Sequence, residues 1–424
     1  MAHPVTEKPE RRPRRRRRAW AAALLAAALP AQASFIFFPG LDEYAPLARG
    51  PYVDFTLDYT HIDKIYDETG QSVDLGGGQV PPGESLESVL LLPRFLWIGN
   101  VFRDTKVPIL NTRNQVFRLI QPIGWQMASA NLRALDERFG LKSRGAGLGD
   151  TFLLFGLYGH EHHWGVMHFN GLLATTFKLP YLGQYDEQSL LNVGTNYLTI
   201  APQLAGHAEF FGRLFVDATA AYQVNYKNDK PAFGGLYPSD PADVYNLEGS
   251  FGWKWAPRFY TTVGALFRAS IGANRYANPD LNLVQQPTPA NPPLIQIPGL
   301  VSALLPVPLP APPNPAIFFT SPHPGIYQDQ GVRATMLSFG FNYVHRDSLV
   351  FDFRVLWPVE GKGSFFKLPY DTYLAVPSLT QPGAYERGPF LTTVNTRVSG
   401  VGEAAAIPAS PQFLFRIVWL PWAP

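Results

Sequence analysis

The sequence contains no cysteine and few charged residues. Without cysteine, the 424 residues cannot form disulfide bonds, thiolate metal sites, cysteine nucleophiles or a lipid anchor on an N-terminal cysteine. Charged residues make up 16% of the chain, against 46% hydrophobic and 14% aromatic residues. No uninterrupted apolar run approaches the roughly 20 residues that a membrane-spanning helix needs. A chain this apolar must therefore bury a very large core or expose apolar side chains to lipid as strands.

The first 33 residues have the pattern of a secretory signal. A basic segment at Arg11–Arg18 precedes a short apolar run at Ala19–Leu29, and Ala31–Ala33 provides small residues for cleavage before Ser34. A nucleic-acid arm or a twin-arginine export signal is the alternative for the arginine run. The formal net charge of +2 includes eight basic and two acidic residues of this segment, so the remainder carries −4. We therefore expect export, cleavage near Ala33 and no binding to nucleic acid.

The remaining sequence alternates between apolar and polar residues. In Asp54–Thr60, Phe55, Leu57 and Tyr59 fall on one side of an extended chain, and three polar residues fall on the other. Arg213–Tyr226 repeats the pattern. A soluble sandwich could explain a single strand of this kind. Repeated along the chain behind an export signal, the pattern predicts an all-β fold, a transmembrane antiparallel up-and-down β-barrel.

The pattern predicts about twelve strands, joined by connections of alternating length. Tight turns are expected at His160–His163, Glu209–Gly212, Ala256–Pro257 and Arg346–Asp347, and long loops after the odd-numbered strands. This arrangement is typical of outer-membrane barrels with both termini in the periplasm. The connection Gly99–Gln115 is long where a short turn is expected, so fourteen strands are the competing count. The predicted strands are Tyr52–Thr60, Ser88–Ile98, Val116–Gln126, Asp150–Gly159, Trp164–Phe177, Tyr197–His207, Arg213–Tyr226, Val244–Trp255, Arg258–Ile271, Val332–His345, Ser348–Trp357 and Gln412–Leu420.

The predicted organisation is a signal peptide at 1–33, a periplasmic lead at 34–51 and a barrel at 52–424. Large extracellular loops are expected near 274–331 and 358–411. The first contains the proline-rich segment Asn278–Pro324, which favours polyproline II over strand or helix. Both loops are expected to lack regular structure, and such loops are usually functional or disordered. Aromatic residues at the strand ends are expected to form the two girdles of a membrane barrel.

A pore acts through its inner face, so polar residues in phase with the lumen are the candidate site. Both signs of charge occur among them, which suits neutral or weakly charged solutes. The alternative is that each facing pair of charges only braces the interior. The lumen-facing candidates are Asp54, Asp58, Arg94, Arg118, His168, Asn170, Gln203, Asp217, Gln223, Glu248, Lys254, Arg268, Asp352, Arg354 and Arg416.

Signatures of catalysis and metal binding are weak. The sequence has no G-x-S-x-G elbow and no H-E-x-x-H helix. His160–His163 could suggest zinc or copper, but alternate side chains diverge in an extended turn, so a solvated turn is expected. His168 and Asn170 could serve a membrane-embedded phospholipase, although both are predicted to face the lumen. We expect no enzyme activity, no metal and no cofactor.

Several short motifs resemble a known family. Gly147–Asp150 opens a strand, Thr175–Pro180 leads into Gly183–Asp186, and Asn192–Asn196 precedes Pro202–Gln203. Strands at Asp217–Tyr226 and Tyr245–Trp255 and the hairpin Val332–Trp357 follow in the same order. In these features the chain resembles the outer-membrane transporters grouped under the meta-pathway of phenol degradation. The proline-rich loop and the trailing prolines after Trp419 depart from that pattern.

The resemblance implies an outer-membrane channel of a Gram-negative bacterium for passive uptake or export of small hydrophobic or aromatic compounds. The family offers no catalytic residues. Expected partners are outer-membrane lipid and lipopolysaccharide, the barrel-assembly machinery and small hydrophobic solutes. The alternatives are a structural or adhesive barrel that acts through its surface loops, and a lipid hydrolase.

Overall fold

The structure is a computed structural model. It describes residues 49–67, 69–74, 85–102, 104–107, 114–128, 144–159, 162–185, 193–229, 239–273, 275–278, 282–285, 317–320, 325–328, 331–345, 349–363, 365–377, 385–399 and 407–419. The predicted signal peptide, most of the predicted periplasmic lead and most of the proline-rich loop lie outside these residues. No helix in the described part of the chain is long and apolar enough to cross a membrane.

Twelve antiparallel strands close into one barrel, which confirms the predicted fold class and strand number. The last strand pairs with the first, from Val53 opposite Trp419 to Thr60 opposite Gln412, and the first strand pairs with the second. The third and fourth strands are each interrupted once. The strands are β1 (Gly50–Ile62), β2 (Leu86–Gly99), β3 (Gln115–Ile120 and Ile123–Ala128), β4 (Arg144–Leu148 and Thr151–Tyr158), β5 (Met167–Leu179), β6 (Thr199–Phe210), β7 (Leu214–Asn225), β8 (Asp243–Ala256), β9 (Phe259–Ile271), β10 (Arg333–His345), β11 (Leu349–Lys362) and β12 (Gln412–Trp419).

The two sides of the barrel wall follow the alternation of the sequence. Asp54, Thr56 and Asp58 in β1 are buried, whereas Phe55 and Leu57 between them are 46% and 42% exposed. The other strands repeat this arrangement, with apolar side chains outside and a packed, partly polar interior. Successive side chains of a strand point to opposite sides, so the buried set points into the barrel. An apolar outer face is the arrangement of a barrel that contacts lipid.

The two ends of the barrel differ in their connections. At one end, here called the turn end, Phe211 and Gly212 both have positive φ, and the Arg213 N–H donates to the Phe210 carbonyl, as in a two-residue hairpin turn. Pro257 and Arg258 join β8 to β9 at the same end. The turn between β4 and β5 lies at Gly165–Val166 rather than at the predicted His160–His163, because Gly165 supplies the positive φ and His162–Trp164 pairs with Met167–Phe169.

The long connection between β2 and β3 adds no strand to the barrel. Gly99 pairs with Gln115 and Arg94 pairs with Ile120, so β2 and β3 are direct neighbours in the sheet. Since the sheet closes with twelve strands, the competing count of fourteen is wrong.

The other end, here called the loop end, carries further β-structure. Phe365–Pro377 and Tyr385–Ser399 form a long hairpin, and Ile317–Thr320 and Asn282–Gln285 extend it to four strands. The expectation that the loop near 358–411 lacks regular structure is therefore wrong. The sequences of these strands contain prolines, which interrupt the alternation expected of a strand, but proline is tolerated in edge strands and at irregular positions. A second small sheet joins Lys64–Tyr66, Ser72–Asp74 and Ile407–Pro408.

Candidate solute path inside the barrel

The structure buries fourteen of the fifteen predicted lumen residues. Each of the fourteen has a relative exposure of 8% or less and lies on the inner side of its strand. His168 differs, because it lies at the turn end of β5, where its exposed ring packs edge-on against His163 at 4.4 Å. Asn170, two residues further along, is buried. The interior is thus a packed set of polar and apolar side chains, with His168 outside it.

Ion pairs link neighbouring strands within the interior. Arg94 of β2 pairs with Asp54 of β1. Between the neighbouring strands β12 and β11, Arg416 Nη2 lies 3.1 Å from Asp352 Oδ2. Breaking such a buried pair from one side leaves an uncompensated charge, which costs about 3–5 kcal/mol. These contacts brace the wall where the first and last strands meet.

One polar pair and one further ion pair lie on the other side of the barrel. His207 Nδ1 of β6 is 2.6 Å from Asp217 Oδ1 of β7, and both side chains are buried. Lys254 Nζ donates to Glu209 Oε1 at 2.8 Å. Charges of both signs are therefore matched within the wall, which leaves no single-sign filter among the described residues.

An apolar layer lies inside the barrel close to the turn end. Its members are buried and in mutual contact, and they come from every barrel strand except β8. We call this layer the apolar ring. It consists of Tyr52, Leu96, Ile98, Val116, Leu154, Tyr158, Leu172, Ala174, Ala205, Phe215, Tyr260, Val344, Val350 and Val418.

Phe215 fills the position that β8 leaves open in the ring. Gly252 of β8 is the direct neighbour of Phe215, and a Cβ placed on Gly252 would overlap the Phe215 ring. The Phe215 ring also meets Tyr260 edge-on, with the ring centroids 5.7 Å apart. Glycine on one strand therefore makes room for an aromatic ring from the next, and Phe215 covers the inner face of β8 at Gly252.

The connection between β5 and β6 is fixed to the barrel wall by one buried carboxylate. Asp150 Oδ2 accepts hydrogen bonds from the Thr195 N–H at 2.8 Å and from Thr195 Oγ1 at 2.6 Å. Lys178 Nζ donates to the same hydroxyl and lies 3.6 Å from the centre of the Tyr197 ring. We call Asp150, Thr195 and Lys178 the loop anchor.

The motifs that carried the family resemblance meet at the loop anchor. A Cβ on Gly183 or Gly194 would approach Asp150 Oδ1 to 2.8 and 2.6 Å, so both positions need glycine. Next to them, Val193 packs inward against a buried cluster that includes Leu90 and Phe152. Sequence reasoning named Asp150 and Thr195 as parts of motifs and missed their contact. The spacing of the glycines was the only available signal.

Metal binding finds no support in the described part of the chain. No group of three or more histidine, aspartate or glutamate residues there could hold a metal ion. His162 and His163 are exposed at the turn end, and the preceding His160 and Glu161 lie outside the described residues.

Comparison with known proteins agrees with this geometry. Residues 69–281 match the family described as "Putative MetA-pathway of phenol degradation". The chain belongs to this family. The match begins between Lys64–Tyr66 and Ser72–Asp74 of the second small loop-end sheet and ends beyond β9, so it includes the loop anchor and most of the strands that carry the interior residues. No curated protein is recognisably similar in sequence.

Three solved structures resemble this chain to different degrees. The COG4313 outer membrane channel from Pseudomonas putida F1 is 13% identical, with a TM-score of 0.55 over 91% of this chain and 99% of that one. The Pseudomonas putida toluene transporter TodX is 10% identical, with a TM-score of 0.27 over 94% and 96% of the two chains. The Escherichia coli outer membrane protease OmpT is 8% identical, with a TM-score of 0.23 over 87% and 95%. The likeness to the COG4313 channel establishes the barrel fold.

Proposed function

We propose that this protein is an outer-membrane channel that lets small hydrophobic or aromatic compounds cross passively, and that it is not an enzyme. The observation that carries the proposal is the apolar ring, a buried cluster near the turn end to which eleven of the twelve barrel strands contribute. A hydrophobic constriction of this kind opposes the passage of hydrated ions, because they would have to shed water there. A neutral apolar molecule loses little on entering the same layer. The family description, which names phenol degradation, agrees with an aromatic solute.

The turn end faces the periplasm in this proposal, and the loop end faces the medium, as in outer-membrane barrels generally. Lipid and lipopolysaccharide contact the outer face, and export and insertion use a signal cleaved near Ala33 and the barrel-assembly machinery. The matched interior charges fit a solute with little or no net charge, since a charged solute would compete with the existing pairs.

Uptake by cells tests the proposal. A deletion strain, complemented with the full-length chain or with an empty vector, is supplied with toluene, phenol or benzoate at a concentration that limits growth or accumulation. The complemented strain is expected to accumulate the neutral compounds faster, with little effect on the benzoate anion. Equal accumulation of every compound by both strains would contradict transport.

A structural or adhesive barrel is the second candidate, and the loop-end β-structure favours it. The hairpin Phe365–Pro377 and Tyr385–Ser399 belongs to a four-stranded sheet separate from the barrel wall, and this sheet offers a surface for binding. Deleting 278–324 separates the two functions. Uptake is expected to change if the loops gate a channel, whereas cell-surface adhesion alone is expected to change if the loops bind a partner.

A further inference from the structure

The wall formed by β6, β7 and β8 carries small side chains between larger polar ones. Ala201, Ala205, Thr219 and Ala221 of β6 and β7 are buried and alternate with polar residues such as Gln203. The inward residues of β11 and β12 at similar depth are long, namely Arg354, Leu356, Leu414 and Arg416. Ala201, Ala205, Thr219 and Ala221 occupy less of the interior than these four long side chains, so a solute meets less obstruction beside them.

The β6–β8 wall also carries polar groups that have no protein partner within the described residues. Within the described residues, no hydrogen bond reaches His207 Nε2, Gln203 Nε2, Ser250 Oγ or the side-chain amide of Asn246. All four side chains are more than nine-tenths buried. A buried polar group without a partner lowers stability, so its retention calls for an explanation.

These four groups form two rungs across three neighbouring strands. His207 lies opposite Asp217, which lies opposite Ser250, and this lower rung borders the apolar ring at Phe215. Gln203 lies opposite Ala221, which lies opposite Asn246, and this is the upper rung. The rungs are four residues apart, or roughly 13 Å at about 3.3 Å per residue.

The chemistry of His207 indicates what the lower rung can bind. Its Nδ1 is engaged by Asp217 at 2.6 Å, so only Nε2 is available to a solute. A hydroxyl group can donate to a neutral Nε2 or accept from a protonated one, whereas a hydrocarbon can do neither. The neighbouring Phe215 ring, 6.2 Å from the imidazole, offers an apolar surface for the rest of the same molecule.

We propose that solutes move along the β6–β8 wall, and that the two rungs select neutral aromatic molecules bearing a hydroxyl group over aromatic hydrocarbons of the same size. This inference rests on the proposed channel function and adds a path and a solute class to it. Ser88 of β2 and Gln412 of β12 also hold polar atoms without a partner, but both lie near the loop end and outside this wall.

Binding of a matched pair of fluorinated probes tests the inference. The 19F NMR signals of 4-fluorophenol and 4-fluorotoluene are titrated with the purified full-length protein in detergent. Ser250→Ala and Asn246→Leu remove one group from each rung and leave the charged residues of the interior unchanged. Each is expected to weaken 4-fluorophenol binding about fivefold to tenfold, the worth of a hydrogen bond to a buried group, while 4-fluorotoluene binding stays within twofold.

Ser88→Ala is the matched control, because it removes the same kind of buried hydroxyl six strands away, on the opposite side of the barrel. It is expected to leave both probes unaffected. His207→Gln keeps a donor towards Asp217 and a polar end, and is expected to retain part of the preference. Each variant is first checked for folding by its heat-modifiable migration on gels.

The outcomes separate the inference from the channel function. If wild-type protein binds 4-fluorotoluene as tightly as 4-fluorophenol, or if Ser88→Ala acts like Ser250→Ala, the inference is wrong and the channel function stands. If wild-type protein binds neither probe and cells gain no uptake, the channel function itself fails.

Discussion

Replacing Phe215 with alanine removes the side chain that completes the apolar ring beside β8. The Phe215 ring is 1% exposed, covers Gly252 and packs against Tyr260. Gly252 has no side chain to fill the space, so the substitution opens a hole in the layer rather than a cavity sealed by its neighbours. Truncation of a buried phenylalanine costs about 3–5 kcal/mol, and little relaxation is expected in a closed barrel.

The functional effect follows from the same hole. Water that enters the layer lets ions pass without complete dehydration, so a hydrophobic barrier is lost. In planar bilayers we expect the wild-type protein to conduct ions weakly and Phe215→Ala to conduct several times more. The melting temperature, measured by heat-modifiable gel migration, should fall in the same variant.

A swapped variant provides the control. Phe215→Gly combined with Gly252→Phe returns an aromatic ring to the same space from the neighbouring strand, because the two positions are direct partners. This variant is expected to recover most of the low conductance. Unchanged conductance in Phe215→Ala, with a normally folded barrel, would refute the idea that the apolar ring is the barrier.

Three further predictions concern other parts of the barrel. Asp150→Asn weakens the two hydrogen bonds from Thr195 and is expected to lower the free energy of unfolding by about 1.5–3 kcal/mol, measured by urea titration in lipid vesicles; no loss would contradict the loop anchor. The hydrogen bond from Ser410 lowers the pKa of Asp63. This bond therefore stabilises the folded state above the ordinary aspartate pKa of about 3.9, and the stabilisation is lost as pH falls through the lowered pKa. Ser410→Ala should raise the pKa of Asp63 in carboxyl 13C NMR, and an unchanged pKa would contradict the prediction. Leu204 is 62% exposed on the outer wall, and Leu204→Arg should lower the folding stability of the protein in vesicles by about 2–4 kcal/mol. The control Val166→Arg at the turn end should lower it by at most about 1 kcal/mol. Equal losses would mean that Leu204 does not face the bilayer core.

The strand pattern was predictable from sequence because one physical constraint repeats in every strand. A wall with lipid outside and a packed interior forces alternation at every second residue, so even short strands such as Gln412–Trp419 stand out. Successive connections of an up-and-down barrel fall at opposite ends, so short turns and long loops alternate along the sequence. The exact turn between β4 and β5 was missed because its histidines drew attention away from Gly165, which sets the backbone.

The interior was only partly predictable. The candidates chosen from sequence were polar, since polar residues on a predicted lumen face stand out, and the apolar ring was missed for the same reason. Phe215, Tyr260 and Val344 are on inward positions of their strands, but strand tilt and register decide that they meet in one layer. Alternation shows whether a side chain points into or out of the barrel, but it does not show how deep along the barrel axis the side chain lies.

Contacts made by connections were the least predictable part. Asp150 and Thr195 are 45 residues apart in sequence, and only the fold of the connection between β5 and β6 brings them together. The interruptions of β3 and β4 accompany this fold, and Pro122 at the first interruption was a signal that alternation alone does not weigh.

Flux through the purified full-length protein in lipid vesicles tests the central claim, that the barrel conducts neutral aromatic molecules and excludes charged ones. Benzyl alcohol and benzoate, of similar size but different charge, are compared in vesicles with and without the protein. We predict that the protein accelerates benzyl alcohol entry clearly above the protein-free rate and leaves benzoate entry near it. Equal acceleration of both compounds, or none of either, would contradict the account.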